Sequence, residues 1–195
     1  MTEFTEDALT RPLFVEPTDD IVREDAWSGP FGLMIGGMSL PTKPELSQQF
    51  FNAANLLVES IKQREIEDYK LVNPILFLYR HSVELMLKSV IMNDVNHHKL
   101  DVLADNLARI IKERSGKEVP AWVIARLKEL AKFDPNSTAF RYAENRDKTT
   151  NKYVSVDGEI YVGLIHLQQA MMALYATLAS IIGFNARESM YWEAP

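Results

Sequence analysis

The sequence predicts a mainly all-α protein, an antiparallel helical bundle of about five helices with one small β-hairpin before the last helix. Three observations carry this reading. Apolar residues recur at three- and four-residue spacing through four segments between residues 42 and 134. Two β-prone runs in KYVSVDGEIYVG flank Asp157-Gly158, a dipeptide suited to a tight hairpin. From Ile160 to Phe184 there is no Asp, Glu, Lys or Arg at all, as expected of a helix buried among its neighbours.

Residues 1–41 lack sustained periodicity and contain Pro12, Pro17, Pro30 and Pro41, so they read as an irregular arm or cap. Within them GPFGLMIGGMSLP reads as a turn packed by Phe31, Leu33, Met34 and Ile35. Gly36 and Gly37 are not followed by the Lys-Ser/Thr of a phosphate loop. The bundle occupies 42–186, and 187–195 form a tail.

The first helix opens at Thr42, with Glu45 at capping-box spacing and Pro44 in the first turn. Leu46, Phe50, Ala53, Ala54, Leu57 and Ile61 form its predicted core face. Asn73 and Pro74 break the chain and start the second helix, to about Asn93. Leu100, Leu103, Leu107, Ile110 and Ile111 mark a third, ended by Gly116. VPAWVIARLKELAKFD gives a fourth, with Pro120 in its first turn, and the fifth runs from about Leu164 to Phe184.

The charge-free fifth segment is long enough to cross a bilayer. It also holds His166, Gln168, Gln169, Thr177 and Ser180, and no basic cluster flanks it, so a central core helix is expected and no membrane. Gly163, Ala170, Ala173, Thr177 and Ser180 make one side small, open to close approach by another helix.

With 195 residues, 47% of them hydrophobic and 25% charged, the chain has the composition of an ordinary single domain. The absence of cysteine excludes disulfides, thiolate nucleophiles and thiolate metal sites and suits a cytoplasmic location. An acidic amino-terminal stretch, MTEFTEDALTRPLFVEPTDD, lacks the basic start and apolar run of an export signal. A net charge of −6 argues against broad, unspecific nucleic-acid binding. RYAENRDKTTNK, residues 141–152, is the one clearly basic loop, with four basic and two acidic side chains.

The second helix carries the candidate site. At about 100° per residue, Arg80, Glu84, Lys88 and His81 fall at roughly 0°, 40°, 80° and 100°, one arc of an otherwise apolar helix. Arg80–Glu84 and Glu84–Lys88 are i,i+4 pairs, which account for the stripe as a solvated or interface edge. The same residues can line a cleft, with Glu84 as acceptor, His81 as acid or base, and Arg80 and Lys88 as anion binders. A third reading makes His81 a hydrogen-bonded core histidine. Phe140-Arg141-Tyr142 reads either as an internal clamp with Arg141 reaching Glu84 or another carboxylate, or as a stacking and anion-binding contact through Arg141 and Tyr142. Asp94, His97, His98 and Asp101 are metal ligands by type, but a helix junction explains them more simply, with Asn96 or a neighbouring His as cap. Neither metal nor cofactor is expected.

FLYRHSVELMLKSVI, HHKLDVLADNL, FRYAENRD, the hairpin and the charge-free helix together resemble the HEPN-like helical domains of prokaryotes, over about Pro74 to Gly183. That resemblance implies an antiparallel bundle, commonly dimeric, in a superfamily of RNA-cleaving toxins of toxin-antitoxin systems, phage-defence components and noncatalytic partners of nucleotidyltransferases. Its nucleases carry an Arg-x(4-6)-His motif, in which His handles the ribose hydroxyl and Arg the phosphorane charge. None of His81, His97, His98 or His166 follows an arginine at that interval. The expectation is therefore a homodimeric, noncatalytic RNA-, nucleotide- or protein-binding partner, of a nucleotidyltransferase or defence protein, in a defence or stress system. One alternative is a divergent metal-independent ribonuclease using His81 with Arg80 and Arg141, Lys88 nearby and Glu84 orienting the imidazole. A second is a purely structural dimeric interaction module.

Overall fold

A computed structural model describes residues 35–37, 40–91, 98–141 and 159–183, with 5, 9–10 and 12–14 near the start. The chain divides into two compact units, Met1–Leu40 and Pro41–Pro195. In the first unit Gly36 and Gly37 take positive φ, 82° and 54°, as a turn requires. Ile35, expected to pack that turn, is instead 80% exposed.

Among the described residues the second unit contains five helices: α1 (Lys43–Lys62), α2 (Asp68–Val90), α3 (Leu100–Ser115), α4 (Ala121–Phe133) and α5 (Leu164–Ile182). No strand occurs among the described residues. The expected hairpin falls mostly on 152–158, outside them, and 159–163 are irregular.

Local chemistry sets the helix ends. Thr42 accepts the Glu45 N–H on its side chain while Glu45 Oε2 accepts the Thr42 N–H at 2.7 Å, completing the expected capping box. At the other end of α1, Arg64 turns left-handed at φ 62°. Its N–H bonds Ile61 O at 2.9 Å and the Glu65 N–H bonds Ser60 O at 3.0 Å, closing the helix in a Schellman turn. The five-residue link that follows returns α2 antiparallel to α1. Gly116, at φ 68°, caps α3 in the same left-handed conformation, as its sequence position predicts.

Two expectations are corrected. α2 begins at Asp68, not at Pro74, which lies inside the helix. Pro74 removes only the bond to the carbonyl of Lys70, and both residues are exposed, so water can take that carbonyl. The buried face of α1 is Ser47, Gln48, Phe51, Ala54 and Val58, rotated about 100° from the predicted apolar stripe. Hydrogen bonding and aromatic packing explain the rotation. Ser47 Oγ donates to Ser82 O at 2.7 Å and lies 3.2 Å from the Tyr175 hydroxyl, while Phe51 stacks on Tyr175 with ring centroids 4.0 Å apart.

α1 packs along α2, and α5 contacts both; α3 and α4 pair, with α3 against α2 and α4 against α5. α5 is long and apolar enough by composition to cross a membrane. Here it sends Gln168, Met171, Leu174, Tyr175, Leu178 and Ala179 into the bundle. Its small side does not face inward, because Ala173 and Ser180 are exposed. A polar seam joins the three helices: Tyr79 donates to Asn55 Oδ1 at 2.8 Å and Gln168 Nε2 to Glu59 Oε1 at 2.9 Å. Burial raises the Tyr79 phenol far above its usual range, so it remains a donor.

The two left-handed caps give opposite expectations. Arg64→Gly should raise stability and Gly116→Ala should lower it, each by about 1 kcal/mol, as relief or introduction of a side chain at positive φ. Urea denaturation of both variants checks the pair, and equal signs would exclude the geometry described.

Candidate functional site

Arg80 is wholly buried. Its guanidinium spends all three nitrogens on the protein: Nη1 donates to Glu84 Oε2 at 2.8 Å, Nη2 to the His98 carbonyl at 2.7 Å, and Nε to the Asp134 carbonyl at 3.2 Å. Nε also lies 3.0 Å from Asp134 Oδ2, a contact of charge, not an aligned hydrogen bond. The planar fork of arginine thus ties α2 to the entry of α3 and the exit of α4. Lysine, a point charge, cannot make those three directed contacts.

Glu84, also buried, is the second hub. Its Oε1 accepts from Lys88 Nζ at 2.8 Å and from His98 Nδ1 at 2.6 Å, the ionised carboxylate requiring the imidazole nitrogen to be the donor. Burial alone pushes its pKa up, yet the hydrogen bonds from Lys88, His98 and Arg80 together hold it below the ordinary glutamate value. Asp134 adds the second carboxylate. Its Oδ1 accepts the N–H groups of Thr138 at 2.7 Å and Ala139 at 2.9 Å, folding the loop after α4. Two cations, Arg80 and Lys88, therefore meet two carboxylates, Glu84 and Asp134, and the cluster is neutral.

His81 lies beside this cluster in an aromatic layer. Phe50 meets its ring edge-on at 4.6 Å and Phe77 stacks on it at 5.5 Å. Among the described residues the imidazole makes no hydrogen bond. Burial lowers its pKa, Glu84 opposes that, and Arg80, Lys88 and Arg141 add to it, so the ring is neutral near pH 7. Arg141 does not reach Glu84. Its Nε donates to the Ser137 carbonyl, and its guanidinium sits 5.9 Å from the Phe77 ring centre. The contact with Glu84 expected of Arg141 is made by Arg80.

A separate cavity of about 420 Å³ opens between α2, α4 and α5. Met171 and Leu174 form its floor, Leu76, Phe133, Phe140 and residues 160–163 line its walls, and Asn73, Arg126, Glu129, Tyr161 and His166 supply polar groups. Arg126 pairs with Glu129 on the same helix. No protein-family model, curated protein or solved structure matches this chain. Its chemistry has to be read from these two features.

Of the residues singled out from sequence, Arg80, His81, Glu84 and Lys88 are adjacent in space and Arg141 borders them through Phe77. Tyr142 lies outside the described residues, as do Asp94 and His97 of the metal cluster and Asn96, the suggested cap. Lys99, without a side-chain cap bond, occupies the N-cap position of α3. Among the described residues no group of three possible metal ligands comes together. Sequence reasoning missed Asp134 as the partner of Arg80; the signal available was its place in DPNST, where Asp organises a turn through its side chain. The cavity left no motif, since its walls are spread over three helices, Phe140 and residues 160–163.

Removing Arg80 should strand two buried carboxylates. Arg80→Ala is expected to cost roughly 3–5 kcal/mol in urea unfolding, with Arg80→Lys nearly as damaging; mild loss in Arg80→Lys would refute the directed clamp. Acid should act through two groups. The folded pKa values of His81 and Glu84 both lie below the unfolded ones, so their stabilisation is full above the unfolded pKa and lost as pH falls through the folded value. Stability should begin to fall below about pH 6.5 through His81 and fall further below about pH 4.3 through Glu84. His81→Phe should remove the first decline and Glu84→Gln part of the second, as read from urea midpoints across that range.

Proposed function

We propose that this chain is a noncatalytic, HEPN-like helical module, a homodimeric cytoplasmic protein that binds another protein, a nucleotidyltransferase or defence enzyme, in a prokaryotic defence or stress system. The observation that carries the reading is the complete burial of Arg80 in a neutral cluster. Cleaving RNA through His81 requires a cation free to meet the developing phosphorane charge. Arg80 is wholly buried with each of its three nitrogens bonded inside the protein, Lys88 is held by Glu84 with 17% of its side chain exposed, and Arg141 donates to the Ser137 carbonyl.

Protein is favoured over RNA or nucleotide as the partner on charge. The net charge is −6, and Arg109, Lys112, Arg126 and Lys128 each pair with a carboxylate at the surface, leaving a weak footing for phosphates. Large apolar side chains, by contrast, stand exposed on the bundle, including Leu56, Tyr69, Trp122, Ile165 and Met172, and such surface suits protein association. A nucleic-acid contact would rest on the basic loop at 141–152, of which only Arg141 is described.

Incubating the full chain with mixed RNA, beside His81→Ala and Arg141→Ala, is expected to leave RNA uncut and unretarded at physiological salt in all three. Cutting abolished by His81→Ala would establish the ribonuclease instead, and retardation abolished by Arg141→Ala would make RNA the partner. Light scattering should report a dimer; a monomer at high protein concentration removes that part of the proposal.

A further inference from the structure

The cavity between α2, α4 and α5 has a chemistry separate from the charged cluster. It is open to solvent on the side of the exposed Ile160, Tyr161 and His166, and it holds about 420 Å³ between the three helices, Phe140 and residues 160–163. Its volume falls within the range of small-molecule sites, roughly 300–1,000 Å³, which are mostly apolar with a few placed polar groups. A cavity of about 150 Å³ admits benzene, so this one has room for two or three rings.

Charge narrows the occupant further. Among the described residues the two charged ones lining the cavity, Arg126 and Glu129, are three apart on α4 and paired with each other. The half-exposed pair leaves the mouth with no net charge, so an anionic or cationic ligand gains no net attraction there while its charge would face apolar walls. Beyond that pair, three lining side chains make no hydrogen bond among the described residues: Asn73 on α2, His166 on α5 and Tyr161, which is 95% exposed. Asn73 and His166 can serve a single neutral donor or acceptor on the ligand.

We infer that this cavity binds a neutral, largely apolar small molecule of two or three rings carrying one hydrogen-bonding group. Leu174 and Met171 receive its rings, while Asn73 and His166 meet its polar atom at the mouth. The site needs neither His81 nor the Arg80 cluster, and it stands whether or not the chain acts through a protein partner.

N-phenyl-1-naphthylamine is a suitable probe, neutral with three rings and one N–H. 1-Anilinonaphthalene-8-sulfonate has the same skeleton with a sulfonate added, so comparing the two isolates charge. Fluorescence titration of the full chain should show saturable binding of the neutral probe at one per chain. The sulfonate should bind at least about tenfold more weakly, equivalent to ~1.4 kcal/mol.

Ala170→Trp, which fills the cavity from α5, should weaken the neutral probe by at least about tenfold while the thermal transition persists. Leu76→Trp does the same from α2 if the first variant fails to fold. Met172→Trp, on the exposed side of α5, should bind as the unaltered chain does. Asn73→Leu with His166→Leu should weaken binding several-fold. The inference is overturned by absence of saturable binding, by unchanged binding in a folded cavity-filling variant, or by a sulfonate that binds as tightly as the neutral probe. Unchanged binding in the Asn73/His166 double variant removes the assigned polar contact.

Discussion

The guanidinium of Arg80 is the constraint on which the rest of the bundle depends. One side chain on α2 fixes the carbonyl that leads into α3, the carbonyl and carboxylate that leave α4, and the carboxylate of its own helix one turn on. Buried ion pairs contribute little net stability, because the desolvation of each charge offsets most of the attraction. They are demanding about arrangement, however. An apolar packing of α3 and α4 against α2 tolerates sliding, whereas three directed hydrogen bonds do not.

A second polar layer repeats this logic on the opposite side of α2. Ser47, Ser82 and Tyr175 link one end of the three-helix packing, and Asn55, Tyr79, Gln168 and Glu59 the other. Each pair joins different helices, so the apolar contacts around Phe51, Val83 and Leu178 are held in one register. α2 is consequently buried almost all round, with hydrophobic contacts supplying cohesion and polar contacts supplying alignment.

Helices and their caps were legible in the sequence because they depend on neighbours within a few residues: Thr42 with Glu45, Gly116 after a basic turn, Pro120 before α4. The clustering of Arg80, Glu84 and Lys88 followed from spacing alone. What spacing could not supply was which charges face inward. A stripe of four polar residues looks the same whether it meets water or the carbonyls of residues 18 and 54 positions away. For the same reason the inward face of α1 was misplaced: Ser47 and Gln48 look like surface until Ser82 and Tyr175 are seen across from them. The cavity was invisible because its walls come from α2, α4, α5 and the irregular residues before α5 at no fixed interval. Pro74 misled as a breaker because its lost bond lies on an exposed turn.

Those long sequence separations bear on how the chain reaches its native state. α1 and α2 are joined by a short link and can pair early, when Arg80 and Glu84 still have water around them. The acceptors at His98 and Asp134 arrive only after α3 and α4 have been brought back across the chain, which incurs the entropy of closing longer loops. Dehydration of the charges is thereby deferred until α3 and α4 dock. A chain halted before that step keeps a wet, charged strip along α2, and this disfavours premature burial of that helix against the wrong surface.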